Sequence, residues 1–495
     1  MLKTLGNMEL RDWLWYGAAA LAVATLTISG IRFPQVVSIL VVVAILTTLT
    51  IRAGRECALG NGVLGAIVSV VLISPTGMGV PFFTGIAVGT AWLLACAMFA
   101  MRRIISNRVF GLFAIVTIIG IAGALFLPEI PLLAISVGIF GLLVGVVASS
   151  PLTTADKGVI RGGLIVLASV EATLLTYETF VLKGWMFGDP TGWGHPLIEG
   201  SYRAAGTVGH PIAAGTVLLV AIGLLMATRW EKQIAKVPVL AVLLVGVFAT
   251  GSMSVYITAA ICLLLPYAAK RSVPAHFMKG ALAVLGIVYV TTDQQVFNTI
   301  SSGIGALNSG HRINTILGIP NLIFSRPLGE SLFGTGWGSA QQNYLDGYFV
   351  NDNFFTLDNQ FVSVLMATGM VGMIIFMIFL GLAWHRRGIH SWVAFIALVM
   401  MFFGFDVLSW AATVGLFVVV ALDLRPSSET LDSNVASVDS CAAIPVSTQT
   451  KNPAQDTCIT SRTRMTEGTK YGSTPANVTP STRPPIYPVG LQVSK

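Results

Sequence analysis

Charge is what this sequence has least of. Only 10% of its 495 residues are charged, against 54% that are hydrophobic, whereas soluble domains carry charge on about a quarter of theirs. With a mean hydropathy of +0.79, the chain has too little polar surface to cover a water-soluble body. A soluble globular class is excluded, and a bilayer becomes the expected solvent. Cysteine is scarce too. Cys57, Cys96, Cys262, Cys441 and Cys458 show no metal-ligand spacing and none lies in an outward loop, which argues against disulfides and zinc alike. A Walker phosphate loop, a dinucleotide-binding glycine fingerprint and a His-Glu-x-x-His pair are all missing, so ATP hydrolysis and metalloproteolysis have no motif behind them. No cofactor and no metal is expected. Nor is there a convincing repeat between the halves, which weakens a transporter reading without removing it.

What is there in abundance is apolar length. Runs fall at roughly 13–29, 36–51, 62–76, 80–101, 109–127, 131–149, 162–182, 212–228, 237–250, 254–269, 280–293, 360–383, 392–405 and 408–423. Several are shorter than the ~20 residues that cross a hydrocarbon core. The fold class expected is an all-α polytopic membrane protein with about 12–14 transmembrane helices over residues 1–423 and one large outward loop. The run from Trp13 to Ser29 has no convincing small-residue cleavage site and reads as the first helix rather than a leader. From about Leu424 the composition turns to Ser, Thr, Pro and Asn, so residues 424–495 are expected to be a disordered cytoplasmic tail.

The few cations fix an orientation. With a cytoplasmic N-terminus, alternate loops hold fifteen Lys and Arg, from Arg52 to Arg387, and the intervening loops hold five: Arg32, Lys183, Arg203, Arg312 and Arg326. This obeys the positive-inside rule. Both termini are then cytoplasmic, and the two larger polar loops, 183–211 and 293–359, face outward. A net charge of +7 concentrated in short inner loops and the chain ends implies no nucleic-acid partner.

The segment from Asp293 to Asn359 is the only long polar stretch between apolar runs, and a loop of that length between spans is uncommon unless it has a task. It carries His311-Arg312, Arg326-Pro327-Leu328-Gly329, glycines from Gly334 to Gly338, and Asp358-Asn359 where an apolar span resumes. Arg312 suits an anionic group or is an exposed loop charge; the Arg326 and glycine-rich elements read mainly as turns. Asp358 reads as a general base or as a helix N-cap. Ahead of this loop, Arg203 to His210 runs through small residues into Pro211 at the start of a span. An arginine there can approach a phosphate assisted by backbone N–H groups, or can be an interfacial arginine reaching for head groups. Thr250-Gly251-Ser252-Met253-Ser254 is a small polar knot that reads as helix packing before it reads as a site. Glu171 and Glu178, one heptad apart within a span, are functional candidates or satisfied contacts inside the bundle.

Taken together, Arg203 to Pro211, Thr250 to Ser254, Arg312, Arg326 to Gly338, and Asp358 to Phe361 followed by Gly369-Met370-Val371-Gly372 resemble the O-antigen ligase and polymerase superfamily over roughly residues 160–390. The resemblance implies a GT-C-like glycosyltransferase in a bacterial inner membrane. Such an enzyme takes a glycan from a polyprenyl-diphosphate donor and joins it to a glycan or glycolipid acceptor outside. It implies that Arg203 and Arg312 hold the diphosphate; the acceptor's proton would then pass to Asp358 or, as the alternative, to His311, and His210, His311, Arg326 and Asn359 are the candidate substrate-binding residues. In ligases the position of Asp358 usually carries His, and an arginine often stands where this chain has Met253. These departures favour a polymerase or another ligase of the superfamily.

The chemistry asks for little else. An arginine beside a phosphate oxygen is worth about 4 kcal/mol at an effective dielectric of 20, so two would organise the leaving group without a metal. The alternative is a carrier or flippase for a lipid-linked or anionic solute, using the same arginines; a non-catalytic scaffold would leave the loop charges without a task.

Overall fold

A computed structural model of the chain describes residues 57–73, 82–100, 108–187, 194–198, 200–227, 236–268, 314–350, 355–385 and 392–422. The runs read at 13–29, 36–51 and 280–293, the first part of the polar loop with His311 and Arg312, and the tail 424–495 lie outside the described residues. Among the described residues the chain is mostly helical with no β-strand; a single antiparallel bridge joins Gly194 to Tyr202.

Among the described residues eleven helices of ten residues or more follow the apolar runs: α1 Ala58–Ile73, α2 Phe82–Ala100, α3 Arg108–Ala124, α4 Leu132–Ala148, α5 Thr154–Tyr177, α6 Pro211–Ala227, α7 Lys236–Ala249, α8 Met253–Ala268, α12 Gln360–His385, α13 Trp392–Met401 and α14 Ala411–Ala421. Three six-residue helices, α9 Ile319–Phe324, α10 Leu328–Phe333 and α11 Ala340–Leu345, lie between α8 and α12. Among the described residues three helical stretches are long and apolar enough to cross a membrane: Phe83–Ala100, Thr154–Leu182 and Gln360–His385. Helices apolar on every side are what a bilayer or a deep bundle interior selects, and exposed Met98, Leu94, Ile118 and Ile139 show apolar faces turned outward.

The interior is filled by phenylalanines from α3, α12, α14 and the turn that follows α13. Phe113 and Phe379 have centroids 5.7 Å apart, Phe379 and Phe417 5.8 Å, and Phe402 and Phe417 5.2 Å. Such tilted aromatic contacts add to simple area burial.

Some boundaries differ from the hydropathy reading. α5 begins at Thr154, eight residues before the apolar run, because Thr153 and Asp156 form a reciprocal capping box that starts the helix in polar sequence. The buried Asp156 also accepts from Gly60 N at 2.8 Å, which ties the first turn of α5 to α1. α13 ends at Met401 instead of running to Phe405, and α14 starts only at Ala411. Between them Phe402 to Trp410 forms a turn that carries Asp406.

The described part of the large loop is folded. Leu322, Tyr344, Phe349, Leu357, Val362 and Met366 make a small core of their own against the start of α12. α12 itself is broken: Gly369, at φ 64° and ψ −168°, interrupts it in a backbone region open essentially to glycine alone. The break releases carbonyls, and the loop takes them up. Thr335 N donates to Met366 O at 3.1 Å and Gly336 N to Ala367 O at 2.9 Å, while Trp337 N donates to Gly120 O on α3 at 2.9 Å. An interrupted span survives only when neighbouring groups re-satisfy its backbone.

Candidate functional site

One end of the bundle gathers the chemistry. The segment Ser201 to His210 is threaded between the C-terminal ends of α5 and α7. On the α7 side Ala204 N donates to Ala249 O at 3.1 Å, Arg203 Nε donates to Thr250 O at 3.3 Å, and His195 Nε2 bonds Phe248 O at 3.0 Å. On the α5 side Ser201 Oγ donates to Thr179 O at 2.9 Å and the Trp185 indole donates to Arg203 O at 2.7 Å. Arg203 is therefore half-buried with its backbone held from both sides.

The two carboxylates of α5 complete the clamp. Glu178 opens a π-helical turn, Glu178–Leu182, that closes on Lys183 at φ 52°. Its Oε1 accepts from Met186 N at 2.9 Å, and its Oε2 accepts from Ala205 N at 3.0 Å and Gly206 N at 2.9 Å. Glu171 accepts from Thr207 N at 2.9 Å, Thr207 Oγ1 at 2.7 Å and Val208 N at 3.4 Å. Of the two readings weighed for this pair, the structure places both in satisfied contacts. Gly206, at φ 56°, lies so close that a Cβ there would meet Glu171 Oε1 at 2.0 Å.

Thr250 to Ser254 turns around Gly251 and meets Arg203 directly. A Cβ on Gly251 would come within 2.8 Å of Arg203 Cγ and 3.0 Å of His195 Cδ2. The knot read first as helix packing thus forms one wall of the arginine's surroundings. His195, which the sequence reading passed over, accepts at Nδ1 from Leu197 N at 3.2 Å. With Nε2 facing a carbonyl, that nitrogen carries the proton. Burial, followed by the nearby charge of Arg203, holds His195 below the usual histidine range.

His210 ends the segment. Its ring stacks on Phe405 at 5.2 Å and 21° and meets Trp410 at 5.2 Å and 44°, so the first motif is joined to the α13–α14 turn. Nδ1 accepts from Ile212 N at 3.3 Å. Burial first, and Arg203 second, push this imidazole down to about 3.

On the same turn Asp406 is a residue the sequence reading missed. Its Oδ2 accepts from Ser363 Oγ at 2.8 Å and Ser409 Oγ at 2.5 Å, whereas Oδ1 is buried with no hydrogen-bond partner among the described residues. Burial raises its carboxyl to about 6, with Asp358 adding to the rise. The two aspartates are therefore close enough to feel each other. The turn is laced to α12 by Gln360 N to Phe402 O at 2.8 Å and by Leu408 N to Gln360 Oε1 at 2.6 Å. The signal for Asp406 was a carboxylate inside a nearly continuous apolar run, which is rare without a function. A cavity of about 310 Å³ is lined by Phe113, Thr117, Trp337, Leu408 and Ser409 among others, and Ser409 connects it to Asp406.

The remaining residues named from sequence divide by their contacts. Asn359 is the N-cap of α12, its Oδ1 accepting from Phe361 N at 3.0 Å and Val362 N at 3.2 Å. Capping thus falls to Asn359, and Asp358 stands half-buried beside it. Arg326 points inward. It bonds the Asn343 side chain, donates to Met366 O at 3.3 Å and lies 5.0 Å over the Tyr348 ring, with burial lowering its guanidinium to about 10. Its place is in the loop's own core. Among the described residues no group of three or more His, Cys, Asp or Glu is arranged to hold a metal. Comparison of the chain with protein-family models, curated proteins and solved structures found no match.

Proposed function

We propose that this chain is a membrane glycosyltransferase of the O-antigen ligase or polymerase kind, with 12–14 spans in a GT-C-like arrangement. It would transfer a glycan from a polyprenyl-diphosphate donor to a glycan or glycolipid acceptor at the outer face of a bacterial cytoplasmic membrane. The observation that carries this reading is the meeting, at one end of the bundle, of a clamped arginine with a pair of aspartates, linked through the His210–Phe405 stack.

In this proposal Arg203 grips the diphosphate with its planar fork, and Arg312 supplies a second cation. The acceptor hydroxyl attacks the anomeric carbon as the bond to the diphosphate oxygen breaks. The bonding electrons leave with the diphosphate, and the hydroxyl proton passes to Asp358. His210, neutral and protonated at Nε2, acts as a donor rather than a base. The charge of Asp358 disfavours a second one on Asp406, which keeps the proton-accepting role on Asp358.

Purified protein in liposomes, given a polyprenyl-diphosphate glycan, an acceptor and no energy source, should yield transferred glycan and free polyprenyl diphosphate. Movement of the intact donor between leaflets without release of polyprenyl diphosphate would overturn the reading in favour of a carrier.

A further inference from the structure

We propose that Glu178 and Glu171 are positioning residues that set the placement of Arg203, which makes the end of α5 a determinant of donor binding. This rests on the role proposed for Arg203 above. Six donors converge on the two carboxylates: the N–H groups of Met186, Ala205, Gly206, Thr207 and Val208, and the Thr207 hydroxyl. Carboxylate oxygens accept, and these six donors supply both side chains.

The division of labour between the two is visible in the contacts. Glu178 grips the backbone immediately after Arg203, at Ala205 and Gly206, and on its other oxygen grips Met186. Met186 directly follows Trp185, whose indole holds the Arg203 carbonyl. Glu178 thus fixes the arginine's backbone by two routes. Glu171, two turns earlier on α5, grips Thr207 and Val208, and so governs the half of the segment that leads to His210. The π-helical turn that Glu178 opens shifts the register of the helix end, a distortion often found where a side chain must reach a site.

Glutamine at position 178 keeps the shape but offers one acceptor and one donor. Whichever way its amide turns, an NH₂ group meets a backbone N–H, at Met186 or at Ala205 and Gly206. Thr207→Val is the milder companion, removing a single bond to Glu171. The test uses the full chain in detergent or liposomes. Arginine modification by phenylglyoxal, mapped by mass spectrometry, reads Arg203 with buried Arg326 as the internal reference. In Glu178→Gln, and less strongly in Thr207→Val, Arg203 should react faster while Arg326 stays slow. Donor KM should rise about fivefold in Glu178→Gln, yet show no further change when the substitution is added to Arg203→Ala. Unchanged Arg203 reactivity, acceleration of both arginines together, or additive effects in the double variant would each overturn the proposal. Faster Arg203 modification in a protein whose transfer is indifferent to Arg203→Ala would support the clamp while removing the glycan-transfer reading.

Discussion

The imidazole of His210 lies nearly parallel to the ring of Phe405, centroids 5.2 Å apart, and this contact joins two loops that the sequence separates by almost two hundred residues. One loop carries Arg203 and the other Asp406. Because Nδ1 of His210 accepts from Ile212 N and burial holds the ring at about 3, the ring stays neutral throughout the physiological range. It links the two loops without competing for the proton.

Arg203→Lys keeps the charge and loses the fork. Lysine cannot engage two oxygens in one plane, and losing a charge-assisted hydrogen bond costs about 1.5–3 kcal/mol. The expected result is a fall in kcat/KM of about tenfold or more, measured in the liposome assay, with unfolding temperature little changed.

Asp358 and Asn359 are adjacent, and their substitutions should fail in different ways. Asp358→Asn should lower transfer by about a hundredfold or more, the range for losing a general base, while leaving donor binding and stability near normal. Asn359→Ala removes the cap of α12 and should cost about 1 kcal/mol of stability, with transfer preserved at low temperature. Thermal unfolding and transfer rates measured side by side separate the two, and near-normal transfer in Asp358→Asn would take that residue out of the mechanism.

Asp406 predicts a pH dependence of stability with a definite sign. Its carboxyl is raised from 3.8 to about 6, so folding favours the protonated form. The contribution is complete below pH 3.8, is lost as pH rises through about 6 and is flat above. A shift of this size is worth about 3 kcal/mol at most. Asp406→Asn should flatten this part of the profile, as read by thermal unfolding across that window.

Gly369 and Gly381 lie on the same helix and should respond oppositely to alanine. At Gly369 a Cβ would come within 2.3 Å of the Leu332 carbonyl carbon, at a positive φ. The expected cost is about 2 kcal/mol or more, seen as a lower unfolding temperature and poor recovery from membranes. Gly381 has nothing within 4 Å of its Cβ position, so alanine there should be neutral or stabilising by about 0.5–1 kcal/mol.

Much of the helical plan was legible because hydropathy alone marks residues that cannot face water. The run read at 360–383 corresponds to Gln360–His385, and that at 212–228 to Pro211–Ala227. Misreadings arose where polar and apolar signals conflict. Thr153 and Asp156 start α5 in sequence that hydropathy rejects, and the aromatic Phe402 and Phe403 look like a span although the chain is already turning. The candidate site was less legible, because contacts between distant segments decide it. Nothing local says whether Asp358 or Asn359 caps the helix, since both are good caps. Nothing near Arg326 announces that Asn343 and the Met366 carbonyl await it. Glu171 and Glu178 stood out as charges in a span, but their donors lie up to 37 residues away.

The meeting of Thr335 and Gly336 with the broken helix also constrains the order in which the molecule can be assembled. This segment leaves the ribosome before α12 exists, yet the Met366 and Ala367 carbonyls it bonds belong to α12, and its next residue, Trp337, bonds α3, made some two hundred residues earlier. Until α12 arrives, the Thr335 and Gly336 donors lack these acceptors. The segment is therefore a staple closed late, joining an early helix to a late one. A chain cut before Gln360 would leave α3 and the three short helices present, with the Thr335 and Gly336 donors unlatched.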